Sequence, residues 1–260
     1  RAVELAAREG ALVEEATYLT GLAAASVDAG AVGPALLAAR RGALLWERLG
    51  RPIMAARAHL SRAAAFALVG AAHEAEIAAT EARAHALASR DDRAAAFARW
   101  AIVEARPPGD ERALCEAREA ARELARGSAE DQLRAAARVL VWAAGSEPAL
   151  DLGRLDAEAR SSSAAARWEW WGARAIRATS PAEQRRIVAE ILGLLEVPAP
   201  VASRGPALGA AVRLARAIGD GEAVRKIDSS RRAAARELEE NAPPEHRAAL
   251  SSVGCIAESD

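Results

Sequence analysis

At 260 residues, with 36 acidic against 35 basic side chains and a formal net charge of −1, the chain carries no excess of positive charge to follow a nucleic-acid backbone, yet it is long enough to bury a substantial core. Hydrophobic residues make up 52% but aromatics only 3%, so alanine dominates whatever is buried, and each residue contributes less apolar area than Leu or Phe would. Stability is therefore expected from many repeated interfaces, and neither a charge-free membrane-spanning run nor a signal-peptide pattern is present.

Residues 1–9 read as the end of a preceding helix closed by Gly10, and a first hairpin follows over Leu12–Gly30 and Gly33–Leu49, with Gly50 as a stop and Pro52 opening the next helix. The stretch Pro52–Arg90 is the clearest unit. Leu60, Ala63, Phe66 and Ala67 before Gly70, and Ala75, Ala78, Ala79 and Ala82 after it, recur at three- to four-residue spacing and give each half one apolar face. The turn at Gly70 is too short for anything but an antiparallel pair. After Arg90, Asp91 or Asp92 caps a helix reaching about Arg106, which Pro107-Pro108-Gly109 ends, and Asp110 caps another to Ala125. Residues 130–144 and 148–159 form a shorter pair, broken from the next by Ser161-Ser162-Ser163. The proline-rich stretch Glu196–Pro206 is read as non-helical and as the best internal boundary. Helices near 207–218 and 221–240, with a short one opened by Pro243-Pro244, then form a cap packed on the last repeat. This gives repeats over 1–197, a break at 198–206, capping helices over 207–250 and a flexible tail from 251 to 260. Because helical pattern is already under way at Ala2 and the first residue is Arg, the sequence is expected to be a fragment of a longer protein or a processed chain.

The hairpin recurs. Ala23, Gly30 and Ala35 stand 40 residues before Ala63, Gly70 and Ala75; Ala101 and Ala113 stand 38 after Ala63 and Ala75, and Ala137 and Ala149 a further 36 on. A fifth, looser pair runs from Ser162 to Leu195, with Ala182 and Ala189 as its small packing residues. Small residues at these points let neighbouring helices approach closely.

Ala75 with Ala82, Ala113 with Ala120 and Ala182 with Ala189 keep a pair of small residues seven apart, and on these residues the chain resembles the tetratricopeptide repeat in its degenerate bacterial form. It departs from that pattern in its aromatic positions, which are mostly Ala, Ser or Leu, in periods longer than 34, and in Arg62 at a position usually apolar. The resemblance implies an all-α fold, a right-handed superhelical solenoid of about five antiparallel helix hairpins plus a C-terminal helical cap. The phrases LLWERLGRP and ALVGAAHEAEIAATEA, with the end LARAIGDGEAVRKIDSSRRAAARELEENAPPEHRAAL, also resemble helical regions of large multidomain bacterial regulators, STAND-type ATPases among them.

Little in the linear sequence points to chemistry. His59, His73, His85 and His246 show no metal-ligand spacing, there is no phosphate loop or nucleophile elbow, and no metal or cofactor is expected. Cys115 and Cys255 read as free thiols of a reducing, cytoplasmic compartment. Glu14 and Glu15, and the basic run Arg225, Lys226, Arg231, Arg232 and Arg236, read as solvated, charge-paired helix faces.

The tryptophans carry more. Trp168, Trp170 and Trp171 are half of the six and lie on one helix. If Trp170 packs inward, Trp168 and Trp171 share an exposed face beside Arg167 and Arg174, the composition of a protein-binding hot spot; the other reading is that they fill a void where small-residue packing loosens. The resemblance implies a second surface, the concave side lined by first helices, near Thr17, Thr20, Arg57, Leu60, Ala98 and Trp142. The chain is thus expected to be a non-enzymatic scaffold or sensor module of a bacterial regulatory or defence protein. It would bind a protein segment or another domain of its parent chain through Trp168, Trp171, Arg167, Arg174, Arg57 and Trp142, with no nucleic acid or membrane partner. The alternative is an effector-sensing arm of a STAND-type regulator with a closed apolar pocket around Trp168–Trp171.

Overall fold

A computed structural model describes residues 2–8, 10–106, 111–142 and 150–252. Among them the chain is all-α, without a strand, and its contacts divide it into two compact units. The first is Arg1–Ala120 with Asn241–Ala249; the second is Ala121–Glu240 with Leu250–Asp260.

After α1 (Ala2–Arg8), the first unit settles into a strict register. Helices α2 (Leu12–Asp28), α3 (Val32–Arg48), α4 (Pro52–Leu68) and α5 (Ala72–Ala88) are each 17 residues long, and α6 (Asp92–Glu104) starts at the next step of the same period. The links have one design. Gly30, Gly50 and Gly70 take left-handed φ values of 69°, 63° and 70°, and in the fourth link Arg90 takes the same conformation at 55°. That geometry lets the amide three residues past the helix return to a carbonyl inside it, as Ala31 does to Ser26, Arg51 to Trp46, Ala71 to Phe66 and Asp91 to Ala86. Orphan carbonyls at each helix end are thereby satisfied within a three-residue turn. Only Asp91 adds a side-chain cap, its Oδ1 accepting from the Ala94 amide at 2.8 Å.

Between the helices the core is mostly alanine. Ala16, Ala23, Ala35, Ala39, Ala55, Ala56, Ala63, Ala75, Ala78, Ala79 and Ala82 are all buried, and each helix packs on its neighbours in sequence, with α2 also touching α4 and α4 touching α6. The expected face of the Pro52–Arg90 unit holds in its second half. In the first half Leu60 and Phe66 are only half-buried and Ala67 is exposed, because Ala55, Ala56, Ala58 and His59 take the inner positions. Glu15, expected on a solvated face, is buried and ion-paired with Arg41 of α3. The segment after Asn241 belongs here too: Pro243 lies against Gly33, and the His246 ring stands edge-on to Phe66 at 5.7 Å. This departs from the expectation of a cap on the last repeat, since these residues sit by α3 and α4. Helix α7 (Glu111–Leu124) runs from the first unit into the second.

The second unit comprises α8 (Ala129–Trp142), α9 (Leu152–Ser161), α10 (Ala164–Arg177), α11 (Pro181–Leu194), α12 (Val201–Ala217) and nearly all of α13 (Gly221–Asn241). Helix α10 is its hub, touching α8, α9, α11 and α12. Its crossing with α12 is close because Gly172 meets Ala207: a Cβ at Gly172 would stand 2.6 Å from the Ala207 Cβ. Two expectations fail here. Ala182 and Ala189 are exposed, and α11 buries Ile187, Val188, Ile191 and Leu194 instead. The proline-rich stretch is helical from Val201, since Pro200 precedes the helix and Pro206 lies on its exposed side, where the missing amide withdraws one bond without breaking the turn. A 3-10 helix spans Pro244–Ser252. The expected breaker Pro107-Pro108-Gly109, the cap Asp110, Ala149, Cys255 and most of the tail lie outside the described residues. Cys115 is a free, exposed thiol.

Candidate functional site

Helix α10 is amphipathic in an unusual way. All three of its tryptophans are buried, with Trp168 1% and Trp171 0% exposed, so the expected pair of surface aromatics is absent. Four neighbouring helices surround α10, with Gly172 drawing α12 inward, and only Glu169 of the 168–171 turn keeps partial exposure. Trp170 donates its indole N–H to Asp156 Oδ1 at 2.9 Å. Trp168 and Trp171 have buried indole nitrogens that meet no partner among the described residues. Arg174, expected beside an exposed patch, is 3% exposed and bound to Asp156 at 3.3 Å and Glu183 at 2.7 Å. Arg186 completes the set with a 2.6 Å bond to Asp156 Oδ2. Asp156 is thus an almost fully buried carboxylate shared by an indole and two guanidiniums, the condition under which a buried charge is tolerated. Arg167 is half-buried.

The concave-side residues are scattered by the structure. Arg57 is exposed on α4, its guanidinium 4.0 Å from the Met54 sulfur. Thr17 is exposed, while Thr20 is half-buried and accepts from the Trp46 indole at 2.9 Å. Leu60 is half-buried and Ala98 fully buried. Trp142 ends α8, and its side chain lies outside the described residues. Arg57 belongs to the first unit, and Trp168, Trp171, Arg167 and Arg174 to the second.

Exposed large apolar side chains occur on several helices, Ile176 of α10, Ile77 and Leu87 of α5 among them. Tyr18 and Leu22 are four apart on α2, and Leu37 and Leu44 seven apart on α3, so each pair shares a face of its helix. Leu37 is 75% exposed, the highest value among the exposed large apolar side chains of the described residues, and Leu44 is 54% exposed.

A polar cluster spans α3, α4 and α5. His59 is buried, its Nε2 3.0 Å from Glu47 Oε1 and its Nδ1 3.1 Å from Glu81 Oε2. Arg62 donates to the same Glu81 oxygen at 2.9 Å. His85 Nε2 reaches Glu47 Oε1 from the other side at 3.3 Å, and the two imidazole rings lie nearly parallel with centroids 5.4 Å apart. The hydrogen bond to His59 holds the Glu47 carboxyl below its usual range against opposing burial, and the charges of both imidazoles add to it. Glu47, His59 and His85 offer one ligand atom each, all within 4.8 Å of one another, a set able to hold a metal ion. Scanning for short motifs missed it because the residues stand on three successive helices. The available signal was the 20-residue helix register, which sets His59 of α4 opposite Glu81 of α5.

A cavity of about 500 Å³ opens between α12 and α13, lined by Arg216, Arg225, Arg232 and Arg236 with Val224, Asp228 and Ser229. Asp228 accepts from Arg231 at 2.9 Å and pairs with Arg232. Burial pushes its carboxyl up, but the two guanidiniums outweigh that and leave it below the usual aspartate range. Among the described residues no helix is long and apolar enough to cross a membrane. No protein-family model, no curated protein and no solved structure matches this chain.

Proposed function

We propose that this chain is a non-enzymatic helical-repeat module of a bacterial regulatory or defence protein, and that it binds a protein segment or another domain of its parent chain. The observation that carries the reading is the register of α2–α6: five helices at a 20-residue period, closed by one turn design and packed through alanine, with large apolar side chains turned outward on α2 and α3. In this reading the helices are turns of a right-handed solenoid of the tetratricopeptide type, whose preformed surface loses little entropy on binding. The binding face is the outward side of α3 at Leu37 and Leu44, because exposed apolar groups that do no packing mark contact surfaces. The buried tryptophans of α10 then maintain the second unit and do not touch the partner.

The test is a comparative pull-down with the wild-type chain and a Leu37→Glu/Leu44→Glu variant whose helicity is verified by circular dichroism. A protein retained by the first and lost by the second supports the assignment; equal retention by both refutes it. The effector-sensing reading is favoured by one observation, the arginine-lined cavity between α12 and α13, which suits a small anion. Its test is a thermal-shift series with inorganic phosphate and nucleotides, in which stabilisation lost in Arg225→Ala/Arg236→Ala supports it and no shift refutes it.

A further inference from the structure

We propose that Glu47, His59 and His85 form a binding site for a divalent transition-metal ion of the zinc class, with Glu81 as the outer partner that orients His59. The argument is geometric. Two imidazole Nε2 atoms converge on one carboxylate oxygen at 3.0 and 3.3 Å. Ligand atoms bonded at ~2.0–2.1 Å to a tetrahedral ion stand about 3.3 Å from one another, so these separations already match two edges of the coordination polyhedron. The three donors come from α3, α4 and α5, and all lie within 4.8 Å of one another.

The surroundings fit the same purpose. A metal-bound histidine commonly donates its second ring N–H to a carboxylate, which fixes the tautomer and makes the bound nitrogen a better ligand. His59 has that arrangement: Nδ1 faces Glu81 at 3.1 Å, Glu81 is itself held by Arg62 at 2.9 Å, and Nε2 is thereby left for the ion. The more exposed His85 is the donor that adjusts, tilting from its near-parallel position so that its lone pair reaches the ion. Two imidazoles and one carboxylate select zinc, nickel or copper over magnesium and calcium, which take oxygen donors. With three protein ligands, a fourth position stays open to water. An ion held there ties α3, α4 and α5 together, so it stiffens the repeat register.

The experiment is a zinc titration of the chelator-stripped chain, read by calorimetry and by competition with a chromogenic chelator, and repeated with cobalt for its visible ligand-field bands. The expected result is one zinc per chain, a rise in melting temperature, and cobalt bands of a four- or five-coordinate site. His85→Ala and Glu47→Gln, at positions partly open to solvent, should weaken zinc binding at least tenfold, and Glu81→Ala by about 10- to 100-fold. His73→Ala, at an exposed histidine outside the cluster, should leave it unchanged. Absence of saturable binding, or equal affinity in the wild type and His85→Ala, would overturn the proposal. Because His85 is not a core residue, loss of folding does not stand in for loss of the site.

Discussion

Replacing Gly172 with alanine tests the close crossing of α10 and α12. A Cβ there would lie 2.6 Å from the Ala207 Cβ and 2.9 Å from its Cα, where carbon atoms prefer about 3.5–4.0 Å. The obstruction is backbone and a single methyl group, so no flexible side chain can swing aside and the helices must separate by roughly 1 Å. Overpacking of this kind costs about 1–3 kcal/mol, and a shift of paired backbones belongs at the upper end. Alanine returns about 1 kcal/mol of helix propensity, leaving a net loss of about 2 kcal/mol. Gly193 of α11 is the internal control: it is exposed with nothing within 4 Å of a built Cβ, so Gly193→Ala should gain up to about 1 kcal/mol. Urea unfolding with a shared slope measures both changes. Ala207→Gly in the Gly172→Ala background removes the methyl contact but leaves the 2.9 Å contact to the Cα and costs about 1 kcal/mol of helix propensity, so it should recover little of the loss. The reasoning is refuted if Gly172→Ala stabilises the chain as Gly193→Ala does.

Further expectations follow from the same contacts. Trp170→Phe removes the donor to Asp156, whereas Trp168→Phe removes an N–H that meets no partner among the described residues, so the first should cost about 1.5–3 kcal/mol more by denaturant unfolding. Equal costs would mean that the Asp156 hydrogen bond contributes nothing. Asp228 has a lowered folded-state value, so its contribution is complete above the ordinary aspartate value of ~3.9 and is lost as pH falls through the lowered one. Asp228→Asn should therefore destabilise at pH 7 and converge with the wild type in strong acid; a difference that persists there contradicts the assignment. Arg90→Gly should stabilise by up to about 1 kcal/mol, because arginine stands at the left-handed position that glycine fills in the three preceding links. A loss of stability there would show that the Arg90 side chain contributes more than its backbone strain costs.

The repeat was legible because glycine and alanine do specific jobs. Gly30, Gly50 and Gly70 mark turns that only a residue without a Cβ adopts cheaply, and the alanines at Ala75, Ala78, Ala79 and Ala82 mark the close-packed side. Where those markers thin out, the reading failed. In α11 the seven-residue alanine pair matched a pattern, yet Ile187, Val188, Ile191 and Leu194 bury more apolar area and take the core. Pro206 read as a breaker because its position in the helix depends on where the helix starts, and Pro200 set that start. The tryptophans misled for a related reason. Exposure of Trp168 and Trp171 was inferred from one helix alone, but α10 is surrounded by four others, which only the packed chain reveals. The histidine cluster was invisible to motif spacing, since its members meet only when α3, α4 and α5 are stacked.

The most direct measurement of the central claim is site-specific photocrosslinking in source cells, with a benzophenone side chain placed at position 37 and, separately, at position 193 as an exposed control on α11. Recognition by the outward face of α3 predicts one discrete crosslinked species from position 37, abolished by Leu44→Glu, and none from position 193. No product from position 37, or the same products from both positions, would contradict the account of this chain as a partner-binding repeat module.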